Sequence, residues 1–190
     1  LILSDGTKVW LNAESSITYP VKFTGGKREV TTTGEVYFEV MEDTKHPFLV
    51  KTGNQITEDI GTAFDIKYYK ESTGIKTTLF QGAIKVNNHL LKPGQQATVT
   101  GQNIRVSSAN LEKVAAWRNC LFYFNNEAFN DVMVELGRWY NLEIVYDDSI
   151  PKRRFEGRIP LDYNLGDLLT ILKASDVHFR IKQRKLIITN

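Results

Sequence analysis

The chain has 190 residues, enough for one large domain or two small ones with a real core. Hydrophobic residues make up 42% and charged residues 24%, which argues for a globular protein and against disorder. A net charge of +2 argues against a dedicated polyanion binder.

The single cysteine, Cys120, excludes an intrachain disulfide and leaves the compartment open. No stretch approaches the roughly 20 apolar residues of a membrane span, and no signal peptide is present. The opening Leu1-Ile2-Leu3-Ser4-Asp5-Gly6 reads as mid-strand, as expected of a piece of a longer protein.

From residue 1 to 108 short strands alternate with turn residues. Leu1-Ile2-Leu3 and Val9-Trp10-Leu11 flank Ser4-Asp5-Gly6-Thr7, a hairpin signal because glycine accepts the positive φ a turn needs. Further strands are expected at Ile17–Phe23, Glu35–Met41, Phe48–Lys51, Phe64–Tyr69, Ile75–Phe80, Ala83–Val86, Ala97–Thr100 and Ile104–Val106. Gly25-Gly26, Gly53-Asn54, Asn87-Asn88 and Pro93-Gly94 punctuate them. No window carries a sustained helical period, so residues 1–108 are expected to form an all-β sandwich or a stacked-strand roll.

The rhythm then changes. Residues 109–120 read as a connector, with a short helix over Leu111–Trp117, and residues 121–190 as a small α+β domain. After a strand at Leu121–Phe124, the residues Phe129, Val132, Met133, Leu136, Trp139 and Tyr140 recur at helical spacing, with Asn126 as N-cap. A strand follows at Leu142–Tyr146. Asn164 caps a second helix with the stripe Leu165, Leu168, Leu169 and Leu172, which leads into Val177–Lys182 and a return strand Leu186–Thr189. Shifting the first helix motif by 36 positions superposes Phe129, Asp131, Val132, Met133 and Leu136 on Leu165, Asp167, Leu168, Leu169 and Leu172. The unit is thus a helix-then-strand repeat, and its two helices are expected to cover one sheet face.

Chemistry is harder to find. Glu35 and Glu39 flank Tyr37 on one face of a strand, opposite Val36, Phe38 and Val40. Four residues at about 3.3 Å each separate the two carboxylates by about 13 Å. Retaining glycosidases need about 5–5.5 Å and inverting ones about 6.5–9.5 Å. Within one regular strand the pair is a solvated or ion-paired face. A third carboxylate on a neighbouring strand is what catalysis would require.

His46, His89 and His178 are scattered without a second ligand at metal spacing, and no phosphate-binding loop is present, so neither a metal nor a cofactor is expected. Cys120 reads as a structural thiol. Lys152-Arg153-Arg154 with Arg158 is the densest positive group. Glu143, Asp147 and Asp148 dilute it, so a solvated turn or a protein-docking patch is the better reading than nucleic acid. Trp10 is a candidate sugar-stacking residue, whereas Trp139 belongs to a helix stripe and is expected in the core. In Ile60-Gly61-Thr62-Ala63-Phe64-Asp65-Ile66 the glycine–threonine pair is ordinarily a turn into a strand. A hydroxyl beside a strained glycyl carbonyl is also the arrangement for an acyl shift from nitrogen to oxygen.

Taken in order, several stretches resemble the FecR family of periplasmic signalling proteins. They are Leu3-Ser4-Asp5-Gly6-Thr7-Lys8-Val9-Trp10-Leu11-Asn12, Arg28-Glu29-Val30, Gly34-Glu35-Val36-Tyr37-Phe38-Glu39-Val40, His46-Pro47-Phe48-Leu49-Val50, Gly61-Thr62-Ala63-Phe64-Asp65-Ile66, Gln81-Gly82-Ala83-Ile84-Lys85-Val86 and Leu91-Lys92-Pro93-Gly94-Gln95-Gln96-Ala97. Ala116-Trp117-Arg118, Leu136-x-Arg138-Trp139-Tyr140-Asn141 and Arg154-Phe155-x-Gly157 resemble the domain that follows it in many Bacteroidetes-type members, similar to the secretin and TonB short N-terminal fold. Cys120 departs from the pattern, where the family commonly has glycine, and Asp59 stands where a small apolar residue is usual.

The resemblance implies a non-enzymatic role in the periplasm. Such proteins carry a cytoplasmic anti-sigma segment and one membrane helix ahead of this region. An outer-membrane TonB-dependent transporter presents a signalling domain to the periplasmic part, and proteolysis then frees an extracytoplasmic-function sigma factor. Some relatives self-cleave between the residues matching Gly61 and Thr62. For docking, a small βαβ-type domain leaves a sheet edge open to strand addition. The expected edge is the hairpin Phe179–Ile188, whose Arg180, Lys182, Arg184 and Lys185 are either docking groups or guards against aggregation. The competing classes are a glycan-binding β module centred on Trp10 and a hydrolase using Glu35.

Overall fold

The computed structural model describes residues 1–59 and 61–189. The chain divides into two compact units, Leu1–Arg118 and Asn119–Asn190.

In the first unit eleven strands are found among the described residues. They are β1 (Lys8–Leu11), β2 (Ser16–Thr18), β3 (Arg28–Glu39), β4 (Phe48–Thr52), β5 (Gln55–Asp59), β6 (Ala63–Tyr68), β7 (Ile75–Gln81), β8 (Ile84–Val86), β9 (His89–Leu91), β10 (Gln95–Thr100) and β11 (Asn103–Ser108). The ladder runs β11-β10-β7-β6-β3-β4-β5-β8-β9, with β1 and β2 also on β3. Helix α1 (Leu111–Ala115) follows, capped by the Asn110 side chain, which accepts from the Lys113 N–H.

β3 divides its length between two wings. Residues Arg28–Thr31 pair in parallel with β4 and Thr31–Thr33 with β2. Residues Gly34–Glu39 pair with β6 and Val36–Glu39 with β1. The switch falls at Gly34, whose φ of +80° is open to glycine and where a Cβ would stand 2.3 Å from Ser15 Oγ and 2.6 Å from Ser15 Cα. Ser15 Oγ accepts the next amide, that of Glu35, at 2.8 Å.

The ladder rolls over so that both wings face one core. Phe38 lies at its seam, stacked on Phe64 of β6 at 5.1 Å and edge-on to Phe48 of β4 at 5.9 Å. The expectation of an all-β sandwich or roll is met. A polar bridge crosses the interior: Gln55 Nε2 donates to Thr57 and Thr77, and Thr32 and Thr52 share a hydrogen bond at 2.7 Å. The strand expected over Ile17–Phe23 stops at Thr18, because Pro20 has no N–H to continue a ladder; Phe23 instead packs on Phe48.

The second unit holds β12 (Leu121–Ala128), α2 (Phe129–Tyr140), β13 (Glu143–Tyr146), β14 (Arg154–Pro160), α3 (Leu165–Ala174), β15 (His178–Lys182) and β16 (Lys185–Thr189). This is the expected α+β unit with its helix-strand repeat. The single sheet is in fact two: β12 pairs with β14, and a separate sheet has the order β13-β16-β15. Both helices share one core with these sheets, formed by Phe129, Val132, Met133 and Leu136 of α2, Leu168 and Leu172 of α3, and Phe122, Leu186 and Ile188 from the strands.

Asn164 caps α3 as expected, in a reciprocal box with Asp167. Asn126 does not cap α2. It sits at φ +53° in a bulge between Phe124 and Glu127, where its main-chain and side-chain oxygens accept from Arg154, so β12 runs on and Ala128 precedes the helix.

Replacing Gly34 with alanine is expected to destabilise the first unit by at least about 2 kcal/mol, from strain at positive φ and the clash with Ser15. Denaturant unfolding followed by tryptophan fluorescence reads this directly.

Candidate functional site

Three places carry the residues that the sequence singles out, and no two of them form a single cluster.

The first is the end of the β unit where strands cross between wings. β5 passes to β6 through Gly61–Thr62, and β7 passes to β8 through Gly82, at φ +87°. The two crossings touch: a Cβ on Gly82 would lie 2.4 Å from Thr62 Cγ2 and 3.2 Å from the Gly61 carbonyl oxygen. Thr62 is buried, its carbonyl accepts from the Val40 N–H at 2.9 Å, and its Oγ1 has no hydrogen-bond partner among the described residues. Asp59 is also buried, and its Oδ1 accepts the Gly61 N–H at 3.1 Å. Ile60 lies outside the described residues.

The remaining motif residues converge close by. Arg28 is buried, donates to Asp5 at 2.7 Å, to the Met41 carbonyl at 2.7 Å and to the His46 carbonyl at 2.8 Å, and lies over the Phe48 ring. Thr7 Oγ1 accepts from the Met41 N–H. His46 is thus a turn residue whose ring meets Asp43, and among the described residues no cluster suited to a metal is found.

The second place is the outer face of the wing that holds β1, β6 and β7. Glu35 and Tyr37, expected on a solvated or ion-paired face, are each only 4% exposed. The missing third carboxyl is Asp65 on β6, 2% exposed, opposite Tyr37 in register and therefore diagonal to Glu35. Such diagonal neighbours are roughly 7–8 Å apart. Glu35 accepts from Lys67 at 3.1 Å and from Asn12 at 2.7 Å. Burial, and next the adjacent Glu35, push the Asp65 carboxyl well above the usual range, while Lys67 pulls the other way.

The segment after β11 covers this face at Tyr37 and Asp65. Helix α1 lies against β7, and the buried indole Nε1 of Trp117 faces Asp65 without meeting hydrogen-bond geometry. The Arg118 guanidinium sits 4.2 Å from the Tyr37 ring centre and 5.5 Å from that of Trp10, and donates to Glu39 at 3.0 Å. Two readings weaken as a result. Trp10 is not a free stacking platform, since Arg118 covers it and Tyr37 meets it edge-on at 5.7 Å. The Glu35–Asp65 pair has spacing near that of an acid–base couple, but both carboxyls are sealed from a substrate.

The third place is the three-stranded sheet of the second unit, in which β15 is an edge. Its basic residues are mostly engaged within the unit. Arg180 reaches across β16 to grip both carboxylate oxygens of Asp147, at 2.9 and 3.1 Å; Arg184 binds the Asn141 carbonyl and side chain; Lys185 meets Glu143 at 3.2 Å. Lys182 is exposed at the strand end. The other basic group is similarly occupied: Arg153 donates to the Asp176 carbonyl, Arg154 to Asn126, and Arg158 lies over Tyr123. Trp139 packs edge-on against Phe122 and donates to the Leu161 carbonyl, yet stays 37% exposed. Cys120 is exposed at φ +59°, a left-handed conformation that explains why glycine suits this position.

These features define a two-unit protein: a β roll with motif residues gathered at one end, joined to a small βαβ-repeat unit. The chain belongs to the FecR family, the family of anti-sigma regulators. Residues 1–85 match the FecR protein model and residues 121–188 the FecR C-terminal model, which together take in most of the chain. Two crystal structures of a "putative anti-sigma factor" from Parabacteroides distasonis are similar over the whole chain. One is 29% identical, covers 99% of this chain and 92% of the other, and has a TM-score of 0.84. The second is 28% identical, covers 100% of this chain and 92% of the other, also with a TM-score of 0.84. No curated protein matches.

Asp65 is predicted to cost stability at neutral pH. With a folded pKa above the unfolded value, its share of stability is full below the unfolded carboxylate pKa of about 3.9 and is lost as pH rises towards the folded value. Asp65→Asn should therefore be more stable than wild type at pH 7, with the difference closing towards pH 4. Urea midpoints across that range test the sign.

Proposed function

We propose that this chain is the periplasmic signal-relay portion of a membrane-anchored anti-sigma factor. It receives a signal from the signalling domain of an outer-membrane TonB-dependent transporter and controls an extracytoplasmic-function sigma factor. The sigma factor is held by a cytoplasmic segment, and the membrane by an N-terminal helix, neither of which is in this chain; no described helix is long and apolar enough to cross a membrane.

The observation that carries this reading is the ordered match to both family regions across two units that fold around separate cores. The edge of β15 supports docking by strand addition, because its outward N–H and C=O groups have no ladder partner among the described residues. Arg180, Arg184 and Lys185, tied within the unit, keep that edge charged and its neighbours rigid, while Lys182 is placed to meet an acidic side chain. The relay acts by docking, not by substrate turnover.

Mixing this chain with its cognate transporter's signalling domain should give a 1:1 complex, and Lys182→Glu should weaken it at least about threefold, as for an exposed interfacial charge. Absence of binding at high micromolar concentration, measured by calorimetry, would overturn the docking reading.

Self-cleavage at Gly61–Thr62 is proposed as a single-turnover step. Its support is the buried, unpartnered Thr62 Oγ1 on the bond between two tightly apposed crossings. The hydroxyl attacks the Gly61 carbonyl carbon, the C–N bond breaks, the Thr62 nitrogen takes the hydroxyl proton, and water hydrolyses the resulting ester. Intact mass after long incubation should show two fragments for wild type and one chain for Thr62→Ala; a wild type that stays whole sinks the step.

A further inference from the structure

The segment from Ala109 to Arg118 belongs to neither wing's ladder, yet it covers the outer face of the wing that holds β1, β6 and β7. Its start is tied by the Ala109 N–H to the Gly94 carbonyl, and α1 then runs beside β7. Its end is held by Arg118, next to the buried Trp117 indole nitrogen that faces Asp65. Arg118 lies on two aromatic rings, Tyr37 and Trp10, and donates to Glu39, a carboxylate that also faces Lys8 at 3.6 Å. The Arg118 side chain is 26% exposed and that of Glu39 39%, so water competes for this hold. Beneath it lie groups that do not tolerate water equally: Asp65 and Glu35 are buried acids, with Lys67 alongside Glu35. A partly exposed latch over two buried carboxyls is cheaper to open than a fully buried one, because opening hydrates carboxyls that burial otherwise penalises.

The position of the latch gives opening a consequence. Arg118 is the last residue of the first unit, so force or ordering applied at Asn119 acts on it through one peptide bond. Its carboxylate partner Glu39 stands opposite Ala63 in the β3–β6 ladder, and the next residue, Val40, donates to the Thr62 carbonyl. The latch is thus one residue from the wing crossing.

We propose that residues 109–118 form a releasable strap, latched by Arg118 on Trp10, Tyr37 and Glu39, whose release unseals the Glu35–Asp65 face and loosens the strand ends that hold Thr62. The inference rests on the relay reading for its purpose, but its physical content does not depend on any partner.

Trypsin reads the latch directly, since Arg118 is itself a cleavage site and the basic turn at Lys152 in the second unit is an internal reference. In Glu39→Gln and in Trp10→Leu, cutting after Arg118 relative to Lys152 should accelerate about tenfold, as local opening becomes cheaper. Hydrogen exchange should quicken at residues 62–66 and stay unchanged in β15–β16. Two results would overturn the strap. One is an unchanged Arg118-to-Lys152 cutting ratio in both variants. The other is faster exchange spread evenly through the first unit, including β10 and β11, which marks a general loss of stability and not a latch. Either result leaves transporter docking intact, whereas failed docking with a working latch removes only the relay reading.

Discussion

Strand β3 has four partners, and each is held over only part of its length. That division is the constraint from which the first unit follows. A strand whose first half belongs to one wing and whose second half belongs to the other must turn at the junction, and the turn must admit Ser15 at contact distance. Once β3 is bent at Gly34, Phe38 faces both wings at once, and its stacking on Phe64 and edge contact with Phe48 knit the core. The other crossings, at Gly61–Thr62 and Gly82, repeat the solution with other strands. They end up side by side because β6 and β7 are themselves neighbours.

This geometry gives physical meaning to motifs that look unrelated along the chain. Asp5, Arg28, His46, Gly61 and Gly82 are far apart in sequence, yet each shapes the end of the roll where backbone passes between wings. Arg28 does most there, because a buried guanidinium can bind a carboxylate and two carbonyls in fixed directions at once. Backbone that leaves a ladder must find other hydrogen-bond partners, and the motif side chains supply them.

Strand content, the turn signals and the repeat of helix and strand were legible because they depend on local rules of period and propensity. Phe129 to Leu136 and Leu165 to Leu172 carry their faces in their spacing. Asn126 misled because a good capping residue serves equally well in a bulge, and the choice was made by Arg154, nearly thirty positions away. Glu35 is ion-paired, as one of the two readings has it, but its burial and that of Tyr37 were not legible, for a related reason. Alternation along a strand shows which residues share a face, but not what lies on that face. Arg118 covers Tyr37, while Asn12 and Lys67 close on Glu35, and each approach is a tertiary event with no local signature. Asp65 could have been found by parity, since it points away from its core-facing neighbours Phe64 and Ile66; only the register of β6 on β3 places it beside Glu35.

In the second unit β16 is the middle strand of its sheet, though it follows both of its neighbours in the chain. Its parallel partnership with β13 joins Glu143 to Lys185, across two intervening strands and a helix. A nascent chain lacking β16 therefore has two strands, β13 and β15, with nothing between them. Until β16 is in place the strand that joins them is missing, and Leu186 and Ile188 are missing from the core. During synthesis this unit would stay open until its final segment clears the ribosome. Closure then depends on contacts distant in sequence, which form slowly. The first unit can close its core much earlier, so the two halves are expected to mature in turn.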